Sequence, residues 1–65
     1  MILDKVKEVA KDRGMTLKDV ATKAEIKYDT LMSWKGHKPG ALSVWKVSKV
    51  LDIPVAELLN EIKDD

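Results

Sequence analysis

Hydrophobic residues recur at helical spacing from the start of the chain and predict an amphipathic first helix. Charged residues fill the positions between them, so one side of this segment is apolar and the other is polar. The helix is expected to end at Gly14, because glycine readily takes the left-handed conformation just past a helix end. The residues on the apolar side are Ile2, Leu3, Val6, Val9, Ala10 and Arg13.

A second helix is predicted to begin at Thr16. The Thr16 hydroxyl can accept the amide proton of Asp19, and the Asp19 carboxylate can reach back, which together form a capping box. Small apolar residues follow at Val20, Ala21 and Ala24. Because small side chains let another helix approach closely, we expect tight packing along this stripe.

A third helix is predicted at about residues 28–35, with Leu31 and Trp34 on its inner side and Ile26 packed just ahead of it. Only residues 25–27 connect it to the second helix. Because so short a connection does not let two helices lie antiparallel, they are expected to cross at a steep angle, as in a helix-turn-helix.

The rest of the chain predicts two more helices. Residues 36–40 carry two glycines and a proline and are expected to form an exposed loop. Apolar spacing predicts a fourth helix over residues 41–51, and Pro54 stands where a fifth helix can begin. The fifth helix is expected to contain Val55, Leu58, Leu59 and Ile62. No stretch shows the alternation of apolar and polar residues that is typical of a strand. The predicted fold is therefore all-α, with five helices in one domain of residues 1–65.

The outer side of the third helix carries an aromatic ring, a carboxylate, a thioether and a hydroxyl, where a merely solvated helix would carry lysine and glutamate. These groups suit contacts with another molecule. The residues are Tyr28, Asp29, Met32 and Ser33.

The composition argues against several classes of protein. The chain of 65 residues has no cysteine, which excludes disulfides and thiolate metal sites, and no apolar run approaches a membrane span. Met1 leads straight into the amphipathic pattern, so we expect no signal peptide, no membrane partner and a cytoplasmic location. His37, the only histidine, has no carboxylate at ligand spacing. We therefore expect no metal, cofactor, small-molecule ligand or catalytic site.

The net charge of +1 is unevenly distributed. Residues 1–25 carry six basic and five acidic residues, and residues 26–50 carry five basic residues against Asp29 alone. Residues 51–65 carry Lys63 against five acidic residues. An acidic final segment would leave one face of a compact fold basic. Such blocks also arise by chance in a chain with 35% charged residues.

The joint order and spacing of these features resemble the helix-turn-helix family of the lambdoid phage repressors and Cro proteins, which is also widespread among bacterial xenobiotic-response-type regulators. The resemblance covers about residues 6–59 and implies a compact, five-helix, lambda-repressor-like DNA-binding domain. The residues on which this resemblance is based are Thr16, Val20, Ala21, Ile26, Thr30, Leu31, Trp34, Gly36, Pro39 and residues 51–54 and 57–59.

The chain departs from the family pattern at several positions. Glu25 and Asp52 stand where glycine is usual, so a left-handed backbone there would cost on the order of 1 kcal/mol each. Leu17 replaces a glutamine that clamps a phosphate in many members. The backbone amides at the start of this helix can still face a phosphate. Ala10 and Lys35 replace an Arg–Glu pair, so Lys35 can serve the basic face.

The resemblance implies that the third helix enters the major groove of double-stranded DNA. The residues implied to face base edges are Lys27, Tyr28, Asp29, Met32 and Ser33, and those implied to face phosphates are Thr16, Leu17 through its amide, Lys35, His37 and Lys38. Asp29 would accept from a cytosine amino group, and Met32 would contact a thymine methyl. Alternatively, Asp29 stabilises the helix dipole and Tyr28 stacks on Met32.

The implied function is a sequence-specific transcriptional regulator, most like a phage Cro protein or small repressor, in a bacterial cell or phage-infected host. With only one arginine, specificity is expected from weaker contacts and DNA shape. Family members dimerise to reach successive major grooves, so we expect a homodimer, formed in solution or only on DNA. Its implied surface is Leu42, Val55, Leu59 and Ile62, whose alternative role is to seal the core.

A second hypothesis is a protein-interaction module of the same fold. Leu17 in place of the clamping glutamine and the scarcity of arginine favour it. Such a module would act as an anti-repressor or modulator that binds a larger phage repressor.

Overall fold

The computed structural model of the protein describes residues 2–62. Five α-helices follow one another in this part of the chain, and no strand forms there, so the predicted all-α fold is confirmed. Residues 63–65, which belong to the acidic final segment, lie outside the described residues. The helices are α1 Ile2–Asp12, α2 Leu17–Lys23, α3 Tyr28–Met32, α4 Ala41–Leu51 and α5 Val55–Leu59.

Two helices differ from their predicted extent. The predicted third helix is divided, because α3 ends at Met32 and a 3-10 helix, Ser33–Lys35, follows it. This tighter turn is common at helix ends, and here the Ser33 hydroxyl donates to the Thr30 carbonyl at 2.6 Å. The fifth helix ends at Leu59, and hydrogen-bonded turns continue to Ile62.

One hydrophobic core joins the five helices. Leu31, Leu51 and Leu58 are fully buried and come from α3, α4 and α5. Burying a leucine side chain stabilises a fold by about 1.5–3 kcal/mol, which is a large share of the stability of so small a domain. The other buried apolar residues are Ile2, Leu3, Val6, Val9, Ala10, Val20, Ala21, Ala24, Trp34, Val44 and Val47.

The same backbone motif closes α1, α2 and α4. In each, a residue one or two positions past the helix has a positive φ: Gly14 at 70°, Glu25 at 58° and Asp52 at 54°. At the end of α2, for example, the Ile26 amide donates to the Ala21 carbonyl at 3.0 Å, which is the long hydrogen bond of a Schellman motif. The next residue is in each case a hydrophobic one packed against the core, namely Met15, Ile26 or Ile53.

Left-handed backbone at Glu25 leads to a prediction about stability. Glu25→Gly is expected to raise the free energy of unfolding by up to about 1 kcal/mol, because glycine adopts this conformation without the steric cost of a Cβ atom. Gly14→Ala is the reverse change, at a position where a Cβ atom would meet no atom within 4 Å, and should lower that free energy by a similar amount. Urea denaturation followed by circular dichroism measures both. A Glu25→Gly variant less stable than the wild type would contradict the prediction.

Arg13 has a role that its spacing did not indicate. It follows the apolar positions of α1, but its side chain is exposed and its Nε donates to the Leu51 carbonyl at the end of α4. A guanidinium at this place satisfies a carbonyl that the helix leaves unpaired and interacts favourably with the helix dipole. The single arginine of the chain therefore holds two helix ends together.

Candidate nucleic-acid interface

The position of α3 is set by the turn before it and by two buried side chains. The left-handed Glu25 redirects the chain, and Ile26 packs against the core. Leu31 is 0% exposed and Trp34 only 4% exposed, so the inner side predicted for this segment is confirmed. The opposite side of α3 is thus directed to solvent by a well-anchored backbone.

Four of the five residues predicted to face bases are exposed, and Met32 is not. Met32 is half-buried and packs against the core, so the prediction that it points outward is wrong. The reason is that α3 has only five residues before the backbone tightens, and the side next to Leu31 is drawn into the core. The exposed residues are Lys27, Tyr28, Asp29 and Ser33.

The exposed groups of α3 and the 3-10 helix after it include hydrogen-bond acceptors. Asp29 carries a carboxylate, which only accepts hydrogen bonds when ionised. The Ser33 hydroxyl donates to the Thr30 carbonyl, so its oxygen remains available as an acceptor. Tyr28 is 45% exposed and presents a ring with a phenolic hydroxyl. These groups match the amino groups that cytosine and adenine present in the major groove.

The start of α2 holds a negative charge of its own. The predicted capping box is confirmed: the Asp19 amide donates to Thr16 Oγ1 at 3.1 Å, and the Thr16 amide donates to Asp19 Oδ2 at 3.0 Å. The hydrogen bond that the Thr16 amide donates to the Asp19 carboxylate is the main cause that lowers the pKa of Asp19, and hydrogen bonding of the carboxylate with the Thr16 side chain lowers it further. Thr16 is exposed, while the Leu17 side chain is half-buried against the core. A phosphate contact here would therefore involve the Leu17 amide and meet the Asp19 carboxylate nearby.

Three exposed basic side chains lie at the end of the 3-10 helix and in the loop after it, and we call this segment the basic loop: Lys35, His37 and Lys38. They line an open depression of about 570 Å³ on the protein surface. The end of the chain described by the structure lines its other side, including Glu61, which the sequence pattern did not connect with this loop. The remaining lining residues are Ile2, Trp34, Gly36, Pro39, Asn60 and Ile62.

The surface of α4 and α5 is apolar, but its residues differ from the predicted set. Leu42 is 64% exposed and Leu59 is 46% exposed, as expected of a contact surface. Val55 and Ile62 are half-buried and pack against the core, so the prediction that the core least needs them is wrong. The short α5 brings both of them over buried neighbours.

Trp45 is a further exposed apolar residue of α4. Its side chain is 49% exposed, and the Lys49 Nζ lies 5.3 Å from the centre of its ring. Trp45 follows Leu42 by three positions on α4, which is the spacing of neighbours on one helix face. This spacing in the sequence already indicates that Leu42 and Trp45 lie on the same face of α4.

No group of three or more histidine and acidic residues within residues 2–62 is arranged to hold a metal ion. Among the helices of that part of the chain, none combines the length and the apolar character that a bilayer crossing requires.

Comparison with known proteins gives one match. A family model described as the Cro/C1-type HTH DNA-binding domain matches residues 5–64, which is most of the chain. No curated protein and no solved structure matches it.

Proposed function

The chain belongs to the Cro/C1-type helix-turn-helix DNA-binding domains, and from that premise we propose that it is a sequence-specific regulator of transcription that inserts α3 into the major groove. The observation that supports this most is the division of α3 into a buried and an exposed side. Leu31 anchors the helix in the core, while Tyr28, Asp29 and Ser33 remain exposed. A major groove about 12 Å wide accepts such a helix.

Base recognition in this proposal relies on acceptors. Asp29 and Ser33 would accept hydrogen bonds from cytosine or adenine amino groups, and Tyr28 would contact the neighbouring base edge. Lys27, which precedes the first turn of α3, would reach guanine or a phosphate. Because Arg13 is bound to the end of α4, no arginine remains for guanine recognition. Met32 would contribute a thymine methyl contact only through the part of its side chain that is exposed.

Phosphate contacts would come mainly from the basic loop. Lys35, His37 and Lys38 are exposed on one surface next to the 3-10 helix that continues α3. The Leu17 amide and the Thr16 hydroxyl would supply weaker contacts at the start of α2. Since phosphate contacts release counterions, DNA binding should depend steeply on salt.

This proposal is tested by the salt dependence of DNA binding. Removing two phosphate contacts with the double variant Lys35→Ala/Lys38→Ala should reduce the slope of log K against log salt concentration by about 1.8, because each contact contributes about 0.9. The matched control Lys7→Ala/Lys11→Ala removes the same charge from the exposed side of α1 and should change the slope far less. Fluorescence anisotropy of a labelled 20-base-pair duplex, titrated at about 50–200 mM salt, measures it. A wild-type protein without salt-sensitive binding would refute the proposal.

A second copy of the chain would complete the binding unit. Leu42, Trp45 and Leu59 are exposed apolar side chains on α4 and α5, with Val55 and Ile62 packed beneath that surface. A dimer formed there, in solution or only on DNA, would present two α3 helices to half-sites about 34 Å apart. The resemblance to phage Cro proteins and small repressors favours such an arrangement, and a cytoplasmic site of action in a bacterial or phage-infected cell.

A protein-interaction module is the alternative function. Its support is the same apolar surface, together with Leu17 in place of the phosphate-clamping glutamine and an acidic side chain at the start of α2. In that case α4 and α5 would bind a larger phage repressor, and Tyr28, Asp29 and Ser33 would be needed for capture of that protein rather than of DNA.

A further inference from the structure

The fold brings an acidic side chain to the basic loop. Glu61 follows α5 and lines the same depression of about 570 Å³ as Lys35, His37 and Lys38. In the sequence, the acidic residues after residue 50 are separate from the basic residues 26–50. At this depression the fold therefore brings one residue of the acidic segment to the same surface as three basic residues.

The place of Glu61 is fixed by its neighbours in the chain. The Glu61 amide donates to the Leu58 carbonyl at 3.0 Å, and Leu58 is fully buried. The next residue, Ile62, packs against the core and donates its amide to the Leu59 carbonyl at 3.1 Å. Glu61 itself is half-buried. Because both sides of it are anchored, Glu61 cannot move far from the depression without disturbing buried contacts.

A carboxylate at this place has a direct electrostatic consequence. The depression is lined by three groups that would bind DNA phosphate, and Glu61 attracts the same cations that a phosphate attracts. A phosphate entering beside Glu61 would compete with this attraction and would meet repulsion between two anions. In a water-like dielectric, one unit charge at contact distance changes a binding constant about fivefold.

We propose that Glu61 is an affinity-determining residue that competes with DNA phosphate for Lys35, His37 and Lys38, and so keeps DNA binding weaker than the basic loop alone would allow. The inference rests on the proposed function, since Glu61 would set the affinity of the surface that is proposed to bind DNA phosphate. It predicts that the effect is independent of DNA sequence, because the backbone phosphates carry no sequence information.

The test is neutralisation of Glu61. Glu61→Gln keeps the shape of the side chain and should tighten binding to a mixed-sequence 20-base-pair duplex by about three- to tenfold, and steepen the salt slope by up to about 0.9. Glu57→Gln is the matched control, because it removes the same charge from an exposed position on α5 that does not line the depression. It should change the affinity less than about twofold.

Two further variants show whether Glu61 acts through the loop. Glu61→Lys should tighten binding more than Glu61→Gln. In the Lys35→Ala/Lys38→Ala background Glu61→Gln should give a much smaller gain, because both lysines for which Glu61 competes with phosphate are absent there. Circular dichroism at the assay temperature verifies that each variant is folded. Equal effects of Glu61→Gln and Glu57→Gln, or an undiminished gain in the double-alanine background, would overturn the inference and leave the proposed function intact. A wild-type protein without salt-sensitive DNA binding would overturn both.

Discussion

Leu31→Ala is expected to remove about half of the free energy of unfolding at 25 °C. Leu31 is 0% exposed and is the only buried residue of the five-residue α3. Truncating a buried leucine costs about 2–5 kcal/mol, from the lost burial and from the cavity that remains. At about 0.05–0.15 kcal/mol per residue, a domain of this length has a total stability of only roughly 3–10 kcal/mol. The loss is thus a large share of the free energy of unfolding.

The matched control for this variant is the same substitution at an exposed site. Leu42→Ala removes the same atoms from a side chain that is 64% exposed, and should change the free energy of unfolding by less than about 0.5 kcal/mol in the monomer. Far-UV circular dichroism and urea denaturation measure both variants. Comparable stability of the two would show that α3 is not anchored through Leu31, and the basis for its exposed outer side would be lost.

The triple variant Tyr28→Ala/Asp29→Ala/Ser33→Ala is expected to lose sequence preference while keeping salt-sensitive binding. A good base contact contributes about 1–3 kcal/mol of discrimination, so removing the proposed set should lower the affinity for a preferred duplex by about 10²- to 10⁴-fold. Binding to unselected DNA depends on phosphate contacts and should change little. The three side chains are exposed, so the fold should survive.

The loss of sequence preference is measured by comparing a selected duplex with unselected DNA. The wild-type protein selects a preferred duplex from a random pool, and anisotropy competition then compares that duplex with unselected DNA for each variant. Asp12→Ala, which removes a carboxylate from the exposed end of α1, is the control and should keep the preference. If the triple variant retains full preference, α3 is not the element that contacts bases. If it instead loses capture of a larger repressor, the protein-interaction alternative is correct.

Features that depend on neighbouring residues along the chain were predicted correctly. The capping box of Thr16 and Asp19 needs only a hydroxyl and a carboxylate three residues apart at a helix start. The structure has left-handed backbone at Glu25 and Asp52, the two positions where the family resemblance places glycine. The inner positions of Leu31 and Trp34 follow from helical periodicity.

Features that depend on helix ends and on distant neighbours were predicted less well. Met32 was expected to face outward because an ideal helix was assumed as far as residue 35, whereas the backbone tightens after Met32 itself. Val55 and Ile62 belong to the predicted dimer surface, with sealing of the core as their alternative role, and both pack against the core. Hydrophobic periodicity specifies which side of a helix is apolar, but not how much of that side its neighbours cover.

The sequence by itself determined the all-helical architecture, the turn between α2 and α3 and the buried side of α3, since hydrogen bonds and periodicity within a few residues decide them. Only the tertiary structure decided that Arg13 binds the end of α4 and that Glu61 lines the same depression as the basic loop. Both arrangements bring together residues far apart in the chain. They depend on how the helices pack, and charge order along a sequence does not specify which charges become neighbours in space.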